Sequence, residues 1–219
     1  MIFFGFSLTL ILFLIFNCLK LKMPIIASVG ISIILILKIF NIDYQVYYQS
    51  ASALSFFVAP ATIALAYPLY KNYYVLTKNK RVLYLSLFLA VFVAIISTYL
   101  CAKIFNADYK VIMSLLPKST TMPIALEISK SLEGYQELTA CIVALTGIFG
   151  GVFGHSLLKF VKVKTDLAIG LALGSASHVI GTAACAQKNK YKQVAASTVA
   201  LIVVGLISAI VIPILKKFY

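Results

Sequence analysis

Acidic residues and charge of either sign are scarce in this chain, and tryptophan is absent. Only six of the 219 residues are Asp or Glu, and all charged residues together make up 11% of the sequence. Soluble domains carry roughly 25% charged residues, so an ordinary soluble domain is excluded. No two acidic residues form a plausible dyad within an apolar segment, which argues against an intramembrane protease. G-x-S-x-G, H-E-x-x-H and glycine-rich nucleotide loops are also absent, so we expect neither an enzyme nor a cofactor.

The residues that are present are mainly apolar. Hydrophobic residues make up 62% of the chain, and the mean hydropathy is +1.03. We therefore expect one integral membrane domain over residues 1–219, surrounded by the lipid bilayer. The net charge of +13 could indicate nucleic-acid binding. The lysines, however, form short clusters between apolar runs, where topology signals belong, so we expect no nucleic-acid partner.

The four cysteines have neither metal-ligand spacing nor the pattern of a disulfide framework. Each lies in or beside an apolar segment, where free cysteine behaves as a small core residue. We therefore expect no metal site. The cysteines are Cys18, Cys101, Cys141 and Cys185.

Apolar runs of spanning length predict an all-α membrane protein with about seven or eight membrane segments. The uninterrupted runs are 2–19, 24–40, 82–102, 138–158 and 193–215. Three others contain Pro, Gly or polar residues, and some of them are expected to be broken or re-entrant: 51–70, 111–130 and 167–186. The run 2–19 lacks a preceding basic region and a cleavage site, so it reads as a first spanning helix with its N-terminus outside.

The lysine clusters test this topology. With the N-terminus outside, Lys20/Lys22 and the cluster 71–81 fall on the cytoplasmic side, as the positive-inside rule requires. The cluster 188–192 falls outside if 167–186 spans fully. Either 167–186 is a re-entrant hairpin, or the number of helices is different.

A faint internal repeat relates residues 56–66 to residues 115–125. Each has an apolar pair, then Thr and Pro, then a helix-like run ending in lysine. Paired, interrupted segments are typical of repeat-built transporters with broken helices. Chance similarity in low-diversity apolar sequence is the alternative.

Residues 116–123 place a cation and three hydroxyls between two prolines. Irregular backbone is tolerated in a bilayer only where it is buried in protein or lines a cavity. A helix beginning near Thr121–Pro123 would expose free N–H groups beside these side chains, which is a suitable receptor for a carboxylate. The alternative is an ordinary N-cap with the lysine extended to the interface. The residues concerned are Lys118, Ser119, Thr120, Thr121, Pro117 and Pro123.

A second polar group surrounds His178 in residues 174–183. His178 could donate, accept or relay a proton, with Ser177 and Thr182 lining a cavity and Gly181 allowing close approach. A satisfied core histidine is the alternative. Upstream, the glycines in 146–154 indicate tight helix packing or bending.

With these residues the chain resembles the LrgB/CidB family of bacterial membrane proteins, whose relatives include the plastid glycolate/glycerate transporter of plants. The matching stretches are 60–70, 116–125, 138–140 running into 146–150, and 176–183, and they cover roughly 55–215. Met122 and Val179 depart from the usual pattern, since Thr and Gly are common there.

The resemblance implies two functions. One is a carrier, or carrier subunit, for small monocarboxylates such as pyruvate, glycolate or glycerate. The other is a holin/antiholin-type protein that regulates murein hydrolases and lysis. A buried cation between prolines favours the carrier, because a holin needs only amphipathic helices; a passive channel is a third possibility.

For the carrier, the predicted ligands are Lys118 with its neighbouring hydroxyls, Thr62, Ser177, His178 and Thr182. Pro60, Pro117 and Pro123 would keep helices broken. A homodimer or a complex with a small LrgA/CidA-like membrane protein is expected, in the bacterial cytoplasmic (inner) membrane.

Overall fold

The computed structural model describes residues 3–19, 25–57, 60, 63, 66–71, 73–78 and 80–216. Within them the chain forms helices and no strand. The helices are α1 (Phe4–Leu19), α2 (Ile25–Ile39), α3 (Tyr44–Phe56), α4 (Ala66–Lys71), α5 (Tyr73–Lys78), α6 (Lys80–Ile104), α7 (Tyr109–Leu115), a 3₁₀ helix (Leu116–Ser119), α8 (Met122–Ser131), α9 (Gln136–Phe160), α10 (Asp166–Gln187) and α11 (Tyr191–Leu215).

The chain forms two compact units, residues 1–64 and 65–219. In the first, α1 and α3 approach closely at Gly5, whose N–H donates to Ser50 Oγ at 2.9 Å. A Cβ at Gly5 would lie 2.5 Å from the Tyr47 carbonyl oxygen, so this contact requires glycine. Pro60 belongs to this unit and is an exposed helical residue.

Four helices in the second unit are long and apolar enough to cross a membrane: α6, α9, α10 and α11. Together with the shorter apolar helices of the first unit, they indicate a multi-pass membrane protein, whose regular structure within the described residues is helical. The expected seven or eight segments and the repeat of 56–66 in 115–125 are not confirmed. Several residues of 56–66 lie outside the described part of the chain.

α10 reverses direction at His178, whose backbone is non-helical with φ 41° and ψ −129°. A Cβ on Gly181 would overlap the carbonyl oxygen of Leu173. Those two residues would be about 12 Å apart along a continuous helix. At its start, Asp166 accepts a hydrogen bond from Gln193, near the beginning of α11, so both ends of α10 lie together. We refer to residues 166–187 as the second hairpin.

Residues 109–131 form a similar hairpin from α7, the 3₁₀ helix and α8. Thr139 Oγ1 lies 2.9 Å from the Ser114 carbonyl oxygen and 2.7 Å from Ser129 Oγ. Ser114 and Ser129 would be about 22 Å apart along one continuous helix. The chain therefore enters and leaves at the same end, and residues 116–121 form the tip. We refer to residues 109–131 as the first hairpin.

The two hairpins open at opposite ends of the second unit. α9 begins beside Glu133 and ends at Phe160, shortly before Asp166. α11 returns in the other direction, and Lys216 pairs with Glu133 at 2.8 Å. The first hairpin therefore opens at the Glu133 end and the second at the Asp166 end, so their tips point towards each other.

Close backbone packing holds the second hairpin against α11. Its glycines Gly170 and Gly174 lie so close to Gln193 and Ser197 that a Cβ at either glycine would overlap backbone oxygens of α11. Because 170 and 174 contact successively later positions of α11, this arm of the hairpin runs parallel to α11. A single spanning helix joined to α11 by a short turn would instead be antiparallel. The hydrophobic core extends from here to α6 and the first hairpin, with buried Leu87, Met113, Val199 and Val204 among its members.

Candidate functional site

Two prolines shape the tip of the first hairpin. Pro117 lies at the start of the 3₁₀ helix, and Pro123 lies in the first turn of α8. Both positions suit proline, because the first backbone N–H groups of a helix have no helical partner. Between them Thr120 and Thr121 are extended, which separates the two helices. α8 begins at Met122, within the short stretch that the sequence predicted.

The hydroxyls of this tip differ in their bonding. Thr120 Oγ1 donates to the Pro117 carbonyl oxygen at 2.9 Å, so its proton is already used. Thr121 is the N-cap of α8, but its side chain makes no capping bond. Its Oγ1 is buried without a hydrogen-bond partner in the described structure, and the residue is only 4% exposed. An unsatisfied buried hydroxyl costs about 1–3 kcal/mol, which a ligand would recover.

Lys118 is half-buried on the same tip. All six acidic residues of the chain are described, and the ion pair recorded in the described structure joins Lys216 to Glu133 instead. Lys118 therefore lacks a carboxylate partner within the described residues. Since a partly buried ammonium is stabilised by an opposite charge, this position favours an anion.

The tip of the second hairpin packs on the glycines of α9. Ser177, which is 2% exposed, faces Gly150 so closely that a Cβ there would overlap Ser177 Oγ. His178 Nε2 lies 3.1 Å from the Val143 carbonyl oxygen. A carbonyl only accepts, so Nε2 carries the proton of this bond. A Cβ at Gly147 would lie 2.7 Å from the His178 ring, so glycine there admits the histidine.

Two cavities adjoin Lys118. The larger, about 550 Å³, is lined by Lys118, Ile142, Thr146, Leu157 and Ser177 among others. The smaller, about 420 Å³, includes Lys118, Ile142, Thr98, Cys101 and Phe105 in its lining. Both linings are mainly apolar, as expected of small-molecule sites with a few placed polar groups.

The structure brings together some of the predicted ligands and separates others. Lys118 and Ser177 line one cavity. The linings of the two described cavities do not include Ser119, Thr120, Thr121, His178 or Thr182. The Thr182 hydroxyl donates to the His178 carbonyl at 3.1 Å, which places it within the fold of its own hairpin. Gly181 lies beside the chain reversal, and Thr62 lies outside the described residues.

Sequence reasoning missed two features. The buried cluster of Ser114, Ser129 and Thr139 ties the first hairpin to α9. Three hydroxyls among apolar residues were a usable signal for it. Ile142, which both cavities share, has no such signal, because it is one isoleucine among many. In the described part of the chain, no three His, Cys, Asp or Glu side chains are grouped as metal ligands.

Comparison with known proteins gives a match over nearly the whole chain. The LrgB-like family matches residues 4–218, which extends beyond the 55–215 expected from the motifs. The holin-like protein CidB of Staphylococcus aureus is 33% identical over 215 residues, covering 95% of this chain and 93% of that protein. The antiholin-like protein LrgB of Bacillus mycoides is 34% identical over 185 residues, covering 84% and 80% respectively. No solved structure matches the chain.

Proposed function

This chain belongs to the LrgB-like family, and we propose that it is a membrane carrier that binds a small monocarboxylate, such as pyruvate, glycolate or glycerate, between the tips of its two hairpins. One observation carries the proposal. The half-buried Lys118, which has no acidic partner in the described structure, lies on the same hairpin tip as Thr121, whose hydroxyl has no hydrogen-bond partner there. A cation on the turn that precedes a helix and a free donor at the N-cap of that helix are groups that a carboxylate requires.

Each group would have a distinct part in binding. Thr121 Oγ1 and the first N–H groups of α8 would donate to the carboxylate, and Lys118 would neutralise it. Ser177 Oγ, on the cavity wall shared with Lys118, would donate from the second hairpin. Thr120, His178 and Thr182 already bond to backbone oxygens, so we assign them to holding the tips in place, with Ser119 on the turn between Lys118 and Thr120.

The topology supports a carrier as well. We propose that both hairpins are re-entrant and enter the bilayer from opposite faces. α6 followed by the first hairpin, and α9 followed by the second, would then form two halves of inverted topology. Transporters built this way bind their substrate where broken segments meet near the membrane midplane. This pairing differs from the repeat between 56–66 and 115–125.

The lysines suggest which face is cytoplasmic. Lys162 and Lys164 lie between α9 and α10, and Lys188 and Lys190 lie between α10 and α11, so all four are at the Asp166 end. The positive-inside rule then makes the Asp166 end cytoplasmic. A re-entrant second hairpin removes the conflict over the cluster 188–192. That the N-terminus lies outside stays a prediction.

A second candidate is a holin- or antiholin-type membrane protein acting with a small LrgA/CidA-type partner in the inner membrane. The names of the two relatives support this role more directly than they support a carrier. It makes no use of an unpaired Lys118 or an unpartnered Thr121. The two candidates therefore differ in what these side chains contribute. A homodimer is compatible with either one.

Uptake of labelled pyruvate and glycolate into proteoliposomes tests the carrier. We expect saturable uptake by the parent, loss of uptake in Lys118→Ala, and normal uptake in Lys130→Ala, which removes an exposed lysine from the same hairpin. Thr121→Val should raise the half-saturation concentration about 10- to 100-fold, since a hydrogen bond to a charged group is worth about 1.5–3 kcal/mol. Uptake that does not saturate would indicate a channel. Absence of uptake by a folded parent, with lysis control unaffected by Lys118→Ala, would favour the second candidate.

A further inference from the structure

The two cavities beside Lys118 extend towards opposite ends of the second unit. The larger includes Leu157 and Leu158, which lie close to the Phe160 end of α9 and hence to the Asp166 end. The smaller includes Phe105 and Ala107, in the turn that joins α6 to the first hairpin at the Glu133 end.

Their linings have two residues in common, Lys118 and Ile142. Lys118 lies on the tip of the first hairpin, and Ile142 belongs to α9. The shared wall therefore combines a long, unbranched charged side chain with a short, branched apolar one. Both side chains are half-buried. Because Ile is β-branched, its χ1 is restricted, and its side chain is a stiff partition.

We infer that the two cavities are halves of one path across the second unit, and that Ile142 with the stem of Lys118 is the constriction between them. The inference rests on the proposed carrier function for its purpose, but its geometry can be tested without any substrate. Ile142 acts here as a steric barrier and not as a ligand. It contributes no charge or hydrogen bond to an anion beside Lys118, and it blocks a continuous water path past that lysine.

Thiol labelling from each face of the membrane tests the path. Cys101 lines the smaller cavity and serves as the native reporter once Cys18, Cys141 and Cys185 are replaced by alanine. Leu158→Cys, with all four native cysteines replaced, reports on the larger cavity. Each protein is treated with a membrane-impermeant methanethiosulfonate cation in right-side-out and in inside-out vesicles. We expect modification of Cys101 from one face and of Leu158→Cys from the other.

The constriction is tested by shortening Ile142 in the Cys101 reporter. Ile142→Ala should let the reagent modify Cys101 from both faces, and Ile142→Val should do so more slowly. Leu145→Ala is the matched control, since Leu145 is on the same helix as Ile142 but lines only the larger of the two cavities. It should leave the sidedness unchanged. Ile142→Val keeps the test decisive if the alanine variant fails to fold.

Three results would overturn the inference: labelling of both reporters from the same face, no labelling of Cys101 from either face, or unchanged sidedness in folded Ile142 variants. These results are distinguishable from failure of the proposed function. If neither pyruvate nor glycolate is taken up but the two reporters are still labelled from opposite faces, the substrate class is rejected and the path is retained.

Discussion

Gln193 Nε2 donates a 2.8 Å hydrogen bond to Asp166 Oδ1, which joins the start of α11 to the start of α10. Gln193 Oε1 also lies 3.0 Å from His155 Nε2 on α9. One buried amide therefore links three helices at the Asp166 end. A single spanning α10 would place Asp166 at the opposite end of the unit from Gln193. The bond between them can form because the chain reverses within the second hairpin.

Replacing Gln193 with leucine should destabilise the protein. The change removes both bonds and leaves a partly buried Asp166 carboxylate without its amide donor, which costs about 1–3 kcal/mol. The measurement is the thermal unfolding midpoint in detergent micelles. Lys192→Gln, at the exposed neighbouring position, is the control and should unfold with the parent. An unchanged midpoint in Gln193→Leu would count against this link between the helices.

Replacing Gly150 with alanine should disrupt the packing of the second hairpin against α9. The new Cβ would overlap Ser177 Oγ, and overpacking of this kind costs about 1–3 kcal/mol. Gly30 is a matched control, because a Cβ there meets nothing within 4 Å. Gly30→Ala should be neutral or stabilising by up to about 1 kcal/mol, as helical glycine is replaced. Equal midpoints for Gly150→Ala and the parent would contradict the packing of Ser177 on α9.

Removal of the Thr139 hydroxyl should loosen the first hairpin. Thr139→Val preserves side-chain shape but removes the contacts to the Ser114 carbonyl and Ser129 Oγ, all in a fully buried cluster. We expect a loss of about 1–3 kcal/mol in the free energy of unfolding and faster proteolysis within the hairpin. Ser131→Ala removes an exposed hydroxyl bonded only within α8 and should have no effect. Similar behaviour of the two variants would argue that the cluster contributes little.

The ion pair of Glu133 and Lys216 should have a small, salt-sensitive effect. The hydrogen bond and charge of Lys216 lower the pKa of the Glu133 carboxyl, and Glu133 in turn raises the pKa of Lys216. The pair therefore stabilises the fold at neutral pH. Its contribution is lost as pH falls through the lowered pKa of Glu133, or rises through the raised pKa of Lys216.

Both side chains are well exposed, at 42% for Lys216 and 70% for Glu133, so solvent and salt screen them. Lys216→Gln should lower the unfolding midpoint slightly at neutral pH and low salt. The difference should vanish in about 1 M salt, where the screening length is about 3 Å, and also at a pH where Glu133 is protonated. A large difference that persists in high salt would show that Lys216 acts by another contact.

Part of the candidate site was readable from the sequence. Pro117 and Pro123 fix where helices must stop and start, since proline lacks an N–H, and the structure places the break between them. Lys118 stood out because a lysine between prolines in an apolar segment is costly without a role. Which of the hydroxyls lacks a hydrogen-bond partner could not be predicted from the sequence. Thr120 and Thr121 are identical in type and adjacent, but only the backbone geometry decides that Thr120 meets the Pro117 carbonyl and Thr121 does not.

The sequence by itself determined the environment and the helical class of this protein. Apolar runs, scarce acidic residues and lysine clusters follow from transfer energies that each residue carries independently of its neighbours. Only the tertiary structure decided the direction of the chain. α10 is long and apolar enough to span, but the positive φ of His178, its bond to Val143 and the contact of Gly181 with Leu173 turn it back. The glycines and polar residues of 167–186 left both a broken and a re-entrant segment open. The choice between them depends on distant residues of α9 and α11, whose packing compensates for a strained backbone.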